Sequence, residues 1–224
     1  MIKSAVITGG HHFDVMAFHQ LFRDLPGVDA YPQHMADFII SPLDSRANYD
    51  VLVFYTHLKD ELTPIGSVPG RDDSIQAMLQ SLATTSQGIV ILHHSLLAFP
   101  GWGIWNDIVG MSDRTLAQYV HDETIQVQVA DPHHPITAGL SNWSIVDETY
   151  LMPNAAEEEG NHILLTTQHH HNMTTLAWTR QVKHSRVCCL QLGHDAQAWG
   201  NAHFRQLLAQ AISWCAKPSD INGG

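Results

Sequence analysis

Three short runs of the chain are mostly apolar, β-branched or aromatic, and each leads directly into glycine or histidine. They are SAVITGG at 4–10, YDVLVFYTHL at 49–58 and IVIL at 89–92, the last followed by two histidines. Near-continuous apolar runs of this length are typical of parallel strands that helices cover on both faces. This pattern limits the fold to an α/β sheet and places histidines where its strands end.

Segments with a helical spacing of apolar residues alternate with these runs. The spacing predicts helices at 13–25, which Pro26 and Gly27 end, at 71–87, and at 201–217. The alternation of strand and helix in the first half of the chain predicts a doubly wound, mostly parallel sheet.

The other apolar segments complete the set of predicted strands, and those in the second half are longer and less regularly connected. We place strands at 28–34, 119–130, 162–168, 174–182 and 185–193. No repeat, low-complexity tract or linker interrupts the chain. We therefore expect a single domain over residues 1–217 and a frayed tail at 218–224.

The charge balance excludes two classes of partner. The formal net charge is -11, from Lys+Arg 11 against Asp+Glu 22, and no run of basic residues occurs. Such a chain does not attract phosphates, so we expect neither nucleic acid nor an anionic membrane as a partner. The first apolar segment is too short for a signal peptide and no segment is long enough to span a membrane, so we expect a cytoplasmic protein.

Histidine is the compositional outlier, with 17 residues in 224. Four predicted strands lead into imidazoles, which belong to His11, His12, His57, His93, His94 and His194. Ligands of open parallel sheets bind at the carboxyl ends of the strands, so we expect these rings to share one site. Successive residues at a strand end point to opposite sides, so we expect only one of His93 and His94 to face the ligand, and we favour His94.

Such a cluster serves two kinds of chemistry. A catalytic zinc ion takes three His or carboxylate ligands and keeps one position open, and we predict His11, His94 and His194 as ligands of such a divalent metal. Metal-free acid–base catalysis needs no cofactor and only one or two histidines oriented by a carboxylate, for which Asp147, Glu148 and Asp195 are the candidates. No HExxH or other compact ligand motif decides between them.

Other motif-based functions find no support, whereas the tryptophans indicate a sugar ligand. Ser95 lacks the G-x-S-x-G setting of a nucleophile elbow, and TGGHHFD at 8–14 matches neither the dinucleotide-binding nor the Walker pattern. Trp102, Trp105 and Trp178 are predicted beside the same loops, where indole faces would pack on a sugar ring.

Several stretches together resemble the trehalose-utilisation (ThuA-like) family. They are GGHHFD, LHHSLLAFPGWGIWNDIVG, DPHHPITAGL, DETY and LGHDAQAW, followed by a terminal helix ending in AISWCA, and they span residues 4–216. The resemblance implies a fold similar to class I glutamine amidotransferases, a flavodoxin-like sheet with added antiparallel strands. It also implies a disaccharide substrate such as trehalose or its 3-keto derivative.

The resemblance bears on the site as well. In that superfamily a cysteine nucleophile follows a central strand, but this chain has His93, His94 and Ser95 there, so we do not expect amidotransferase chemistry. His194 falls where the superfamily has its catalytic histidine. We assign His194, His94, Glu148 and Asp195 to catalysis. The residues expected to contact the substrate are His11, His12, Trp102, Trp105, Tyr150 and Trp178.

The favoured hypothesis is an enzyme of carbohydrate utilisation that cleaves or isomerises a disaccharide by histidine acid–base or metal-assisted chemistry. Its expected partners are the small sugar and further copies of the chain in a homo-oligomer. Two alternatives stay open, namely a non-catalytic sugar-binding or regulatory module and a zinc hydrolase that acts on something other than sugar.

Overall fold

The computed structural model describes residues 1–62, 66–67, 69–82 and 84–216, so the predicted tail at 218–224 lies outside the described residues. Within this part of the chain, nine strands form one sheet. The strands are β1 (Ile2–Gly9), β2 (Val28–His34), β3 (Val51–Thr56), β4 (Gly88–Leu92), β5 (Gln118–Val129), β6 (Trp143–Leu151), β7 (His162–Thr166), β8 (Thr175–Val182) and β9 (Ser185–Leu190).

The sheet has a parallel half and an antiparallel half. Its strand order is β2-β1-β3-β4-β9-β8-β7-β5-β6. The pairs from β2 to β9 in this order are parallel. Every pair from β9 to β6 is antiparallel. The predicted α/β fold, a doubly wound sheet with added antiparallel strands, is confirmed.

Helices cover both faces of the parallel half. The α-helices of the described residues are α1 (Val15–Arg23), α2 (Met35–Ile40), α3 (Leu43–Ala47), α4 (Ile75–Leu82), α5 (Gly103–Val109), α6 (Ala196–Gly200) and α7 (Ala202–Cys215). Side chains of α1, α6 and α7 belong to one core layer, and those of α2, α4 and α5 belong to the other. No helix in the described ranges is both long and apolar enough to cross a membrane.

The central strands supply both core layers because their side chains alternate between the two faces of the sheet. In β4, Val90 and Leu92 pack into the layer beneath α7, whereas Ile89 and Ile91 pack into the layer beneath α4. All four are fully buried. The near-continuous apolar pattern of β4 therefore reflects burial on both faces.

Several elements differ from the sequence-based prediction, and the short helices α2, α3, α5 and α6 were not predicted. Helix α4 begins at Ile75 instead of residue 71, because the Glu61 carboxylate accepts the backbone N–H groups of Ile75 and Gln76, both at 2.8 Å, and caps the helix there. Strand β6 was not predicted. Its first half alternates in burial but residues 147–150 are all buried, so the strand has no regular period that sequence reasoning could detect.

Candidate functional site

The strand order brings the predicted histidines to one edge of the sheet. Strands β1, β3, β4 and β9 are neighbours, and the histidines follow their carboxyl ends. The ring centroids of His11 and His94 are 4.6 Å apart, those of His57 and His94 are 5.6 Å apart, and those of His93 and His194 are 5.1 Å apart. The predicted convergence of imidazoles therefore occurs in the structure.

A cavity of about 370 Å³ lies over this edge. Its wall consists of imidazoles, one carboxylate, two phenols and two leucines, contributed by His11, His12, His57, His94, Leu97, Leu116, Tyr119, His121, Glu148, Tyr150 and His194. Polar groups around a concave space with some apolar wall are typical of a small-molecule site.

His93 has an unusual backbone conformation and a defined tautomer. The chain leaves β4 at Leu92 and turns at once into a 3-10 helix, where His93 takes a φ of 52°. Its fully buried ring places Nδ1 2.6 Å from the backbone carbonyl oxygen of Gln191. A carbonyl only accepts hydrogen bonds, so Nδ1 carries a proton, and in the neutral ring Nε2 carries the lone pair. Tyr150 Oη lies 2.7 Å from that Nε2 atom.

Three potential ligand atoms meet beside this nitrogen. His93 Nε2 lies 2.9 Å from Glu148 Oε2 and 3.1 Å from His194 Nδ1, and the latter two atoms are 3.2 Å apart. In the described part of the chain, these residues form the group of histidine, cysteine and acidic side chains whose ligand atoms are close enough to share a metal ion. We call His93, Glu148 and His194 the three-ligand cluster.

Asp147 fixes the backbone on which two members of this cluster lie. Its buried carboxylate accepts the backbone N–H groups of Glu148 at 2.8 Å, Gly193 at 2.7 Å and His194 at 3.0 Å. Burial raises the pKa of Asp147, and the charge of His93 and these three hydrogen bonds oppose that rise. Asp147 thereby joins β6 to the turn after β9 and holds the cluster in position.

In the three-ligand cluster, the pKa of Glu148 is lowered and the pKa of its partner His194 is raised. Burial raises the pKa of Glu148, but the hydrogen bond from His194 and the neighbouring imidazole of His93 outweigh it and bring the pKa well below its usual range. Burial lowers the pKa of His194, yet the hydrogen bond and the charge of Glu148 produce a net rise. Between protein groups alone, the pair therefore favours a charged carboxylate next to a protonated imidazole.

The remaining buried histidines are kept neutral. Burial, followed by the charge of His93, strongly lowers the pKa of His94, whose ring lies against Tyr55 with centroids 4.2 Å apart. Burial and the charge of Lys59 lower the pKa of His57 to about 4, and burial also lowers that of His11. These rings provide a neutral wall around the charged cluster.

Most of the predicted site residues line the same cavity. The predicted residues that line it are His11, His12, His94, Glu148, Tyr150 and His194. His94 faces the cavity as favoured, but His93 contributes its Nε2 atom to the cluster at the cavity floor. Of the two rings, only His94 lines the cavity, as expected, whereas the fully buried ring of His93 lies behind the wall, where the 3-10 turn after β4 directs its Nε2 atom to the cluster.

Four predicted residues are not brought into the cavity. Trp105 and Trp178 are fully buried and donate their indole N–H groups to the carbonyl oxygens of Ser95 and Val109, so they offer no face to a sugar. Trp102 stacks on Phe99 and is not part of the wall. Asp195 is also outside the wall.

The Asp195 side chain caps helix α6 by accepting the backbone N–H of Gln197 at 2.9 Å. Of the three candidate carboxylates, Asp147 is the one that accepts the His194 backbone N–H, at 3.0 Å. His121 and Tyr119 of β5 also line the cavity and were not predicted, and His121 Nδ1 lies 3.2 Å from Glu148 Oε1. Their signal in the sequence, a histidine and a tyrosine within an exposed strand, does not differ from that of ordinary surface residues.

The α/β fold of this chain is similar to folds of solved structures. The structure of PurLQS from Thermotoga maritima matches with a TM-score of 0.61 at 11% sequence identity, covering 95% of this chain and 98% of that chain. Residues 33–215 match the ThuA family, described as trehalose utilisation. The chain therefore belongs to the ThuA family, and the predicted family resemblance is confirmed.

Two solved structures of ThuA-like proteins are similar to the whole chain. The one from Parabacteroides merdae has a TM-score of 0.70 at 18% identity and covers 96% of this chain and 90% of its own. The one from Bacteroides uniformis has a TM-score of 0.71 at 16% identity, with coverage of 96% and 91%. No curated protein matches the sequence.

Proposed function

We propose that this ThuA-family protein is an enzyme of carbohydrate utilisation that acts on a disaccharide such as trehalose or its 3-keto derivative. One observation carries the proposal, namely that the buried three-ligand cluster lies at the floor of a cavity of about 370 Å³. Small-molecule sites are clefts of roughly 300–1,000 Å³ that contain a few convergent polar groups. The trehalose-utilisation description of the family supports the choice of substrate class.

A second cavity supports a substrate with two rings. It has a volume of about 430 Å³ and shares His57, Leu97 and Leu116 with the first cavity. Its wall adds Lys59, Asn106, Ser112, Asp113, Arg114 and Thr115, whose polar groups suit sugar hydroxyls. One ring of a disaccharide would occupy the histidine cavity and the other the adjoining one.

The chemistry follows from the acidity of carbon beside a carbonyl. Removal of a proton from the carbon next to a keto group leaves negative charge on the carbonyl oxygen, which the positive charge held at the cluster stabilises. The neutral imidazoles of His11 and His57, whose pKa values are lowered, are free to accept that proton at neutral pH. In cleavage, the enolate expels the glycosidic oxygen from the adjacent carbon, a carbon–carbon double bond forms, and the leaving sugar takes the proton held by the imidazolium. In isomerisation, the imidazolium returns that proton to the enolate.

Deuterium exchange tests this proposal directly. The protein is incubated with 3-keto-trehalose in D₂O, and uptake of deuterium at the carbons beside the keto group and formation of products are followed by NMR. We expect both in the wild type and neither in His194→Ala. The control is His169→Ala, whose ring pairs with Glu123 outside the cavity and whose loss should leave turnover unchanged. Equal background rates in all three proteins would overturn the enzymatic proposal.

The alternative is a non-catalytic sugar-binding module, and one observation favours it. Ser95 occupies the turn where the superfamily has its nucleophile, and its hydroxyl group accepts the Thr56 N–H at 2.6 Å and donates to the Thr56 carbonyl at 2.9 Å. Ser95 is thus a buried residue whose hydroxyl group joins the turn after β4 to the end of β3. This alternative predicts saturable binding of trehalose by calorimetry without product formation.

Two further parts of the proposal concern location and assembly. A cytoplasmic location is supported by the fold alone, which is similar to the cytoplasmic protein STM3548 from Salmonella typhimurium with a TM-score of 0.63 at 12% identity. A homo-oligomer is also proposed, and exposed apolar side chains such as Met16 and Tyr119, which are 84% and 56% exposed, are candidates for its contact surface. Sedimentation velocity tests the assembly.

A further inference from the structure

We propose that His93 Nε2, Glu148 Oε2 and His194 Nδ1 bind one divalent first-row transition metal ion, with zinc the expected occupant and an open coordination position toward the cavity. This inference names the cofactor of the proposed enzyme. Metal binding is nevertheless measured without a substrate, so the inference and the proposed function fail separately.

The spacing of the three atoms fits a single ion. Their separations are 2.9, 3.1 and 3.2 Å. Ligand atoms of a tetrahedral zinc site lie about 3.3 Å from one another, because each is about 2.0–2.1 Å from the ion. One ion above the triangle formed by these atoms would therefore contact all three with little movement of the side chains.

The tautomer of His93 leaves Nε2, the ring nitrogen that faces Glu148 and His194, able to bind a cation. Because Nδ1 donates to the carbonyl of Gln191, the Nε2 atom of the neutral ring offers a lone pair, which lies 2.7 Å from the Tyr150 hydroxyl and which a metal ion would take in its place. A carboxylate oxygen of Glu148 and the Nδ1 atom of His194 point at the same spot. A divalent cation satisfies the three lone pairs together, whereas a single proton is shared between only two of the atoms.

Supporting hydrogen bonds around the cluster match those of metal sites, in which a histidine ligand donates its other N–H to a carbonyl or carboxylate. His93 does so to Gln191, and the second oxygen of Glu148 is engaged by His121 Nδ1 at 3.2 Å. Asp147 holds the backbone of Glu148 and His194. The donors are therefore oriented before any ion arrives.

The geometry also indicates that substrate and solvent would reach the ion from the cavity side. His93 is fully buried, whereas Glu148 and His194 line the cavity. Two histidines with one carboxylate and one open position form a donor set found in catalytic zinc sites.

The ligand set predicted from sequence, His11 with His94 and His194, is not the group that the described residues bring together. That part of the prediction is replaced by His93 and Glu148.

The experiment measures metal in untagged protein purified without a metal column. We expect about one ion per chain by mass spectrometry, as a single three-ligand site requires. The chelated apoprotein should take up Co²⁺ with the visible absorption of a four- or five-coordinate site. Glu148→Gln and His194→Ala should lose both signals, with circular dichroism confirming that each variant is folded.

His11→Ala is the matched control, because it removes an imidazole from the same cavity wall without touching the three-ligand cluster. It should retain the metal. His121→Ala should also retain it, with affinity weakened by roughly 10–100-fold as for other residues that orient a ligand. The inference is overturned if folded apoprotein takes up no stoichiometric Zn²⁺, Fe²⁺, Mn²⁺ or Co²⁺. It is equally overturned if His11→Ala abolishes binding and Glu148→Gln does not.

Metal binding and catalysis are read separately. Stoichiometric metal without deuterium exchange into any keto-sugar would support the metal site and contradict the proposed reaction. Exchange by fully metal-free protein would support the proposed reaction and contradict a role of the metal as its cofactor, whereas the metal-binding measurement alone decides whether the site exists.

Discussion

At the scale of single residues, the polar groups under the cavity are arranged so that each buried charge has a partner. Glu148 is nearly buried, and its two oxygens lie next to the nitrogens of His93, His194 and His121. Asp147, also buried, is compensated by backbone N–H groups. Burying a charge costs free energy unless the charge is paired in this way. The partners of Glu148 and Asp147 therefore offset the cost of burying two adjacent carboxylates.

The first prediction concerns Asp147. Asp147→Asn preserves the shape of the side chain but turns an N–H donor toward backbone donors, so we expect a loss of about 1–3 kcal/mol in unfolding free energy. Urea denaturation measures it. The control is Asp195→Asn, in which asparagine replaces aspartate as a helix cap and should cost little. Equal stability of both variants would show that Asp147 does not hold the turn after β9.

The second prediction concerns pH and His57. The folded-state pKa of about 4 lies below that of the unfolded chain, near 6.5, so the unfolded state takes up the proton first as the pH falls. The contribution of neutral His57 to stability is present above pH 6.5 and is lost as the pH falls toward 4. We expect His57→Gln to show a flatter dependence of unfolding free energy on pH in this window.

Urea denaturation at several pH values between about 7.5 and 4.5 measures that slope. His12→Gln, which replaces an exposed ring of the same cavity, is the control and should follow the wild type. Parallel curves for His57→Gln and the wild type would contradict the pKa shift.

At the scale of elements, the site depends on turns that follow the strands more than on the strands themselves. The turn after β1 passes so close to the turn after β3 that only glycine fits at position 10. A Cβ atom there would lie 2.6 Å from the carbonyl carbon of His57, and the φ of Gly10 is +74°. The loop after β4 is held by Arg114, which donates to the carbonyls of Leu96 at 2.6 Å and Ala98 at 2.7 Å. These contacts fix the cavity walls.

The third prediction follows from that close approach. Gly10→Ala and Gly27→Ala both place a side chain at positive φ, but Gly27 has no atom within 4 Å of the added Cβ. We expect Gly10→Ala to be less stable than Gly27→Ala by about 1–3 kcal/mol, the usual cost of overpacking. Thermal unfolding of the two variants measures the difference. If they unfold at the same temperature, the approach of the two turns is looser than the structure indicates.

At the scale of the whole molecule, the three-ligand cluster joins the two halves of the sheet. His93 follows β4 and His194 follows β9, both in the parallel half, whereas Glu148 lies in β6 at the far end of the antiparallel half. A ligand that binds all three residues stabilises the folded state as a unit, since the unfolded chain has no such site.

The fourth prediction applies this to the proposed metal. At a free metal concentration of about 1,000 times Kd, binding adds about 4 kcal/mol, which corresponds to roughly 8–16 °C in Tm for a chain of this length. Chelation should lower Tm by that amount and added Zn²⁺ should restore it, as followed by differential scanning calorimetry. Glu148→Gln is expected to show no metal-dependent change. A wild-type Tm that changes neither on chelation nor on addition of Zn²⁺ would contradict tight binding.

The sequence by itself determined the parallel half of the fold and the edge at which the site lies. The apolar runs of β1, β3 and β4 are local signals, since a strand buried on both faces needs apolar residues at nearly every position. The position of the histidines after those strands, combined with the general geometry of open α/β sheets, was enough to predict their convergence. His11, His94 and His194 were predicted on that basis and line the cavity.

Only the tertiary structure decided which atoms form the cluster. His93 enters it because the backbone turns into a 3-10 helix where strand alternation was assumed. Glu148 enters it from a position in β6 where the pairing with β5 shifts register, between the pairs Val120–Thr149 and Glu123–Asp147. Trp105 and Trp178 became core residues because neighbouring carbonyls accept their indole N–H groups. These outcomes depend on contacts between segments far apart in the chain, and such contacts leave no periodic signal in the local sequence.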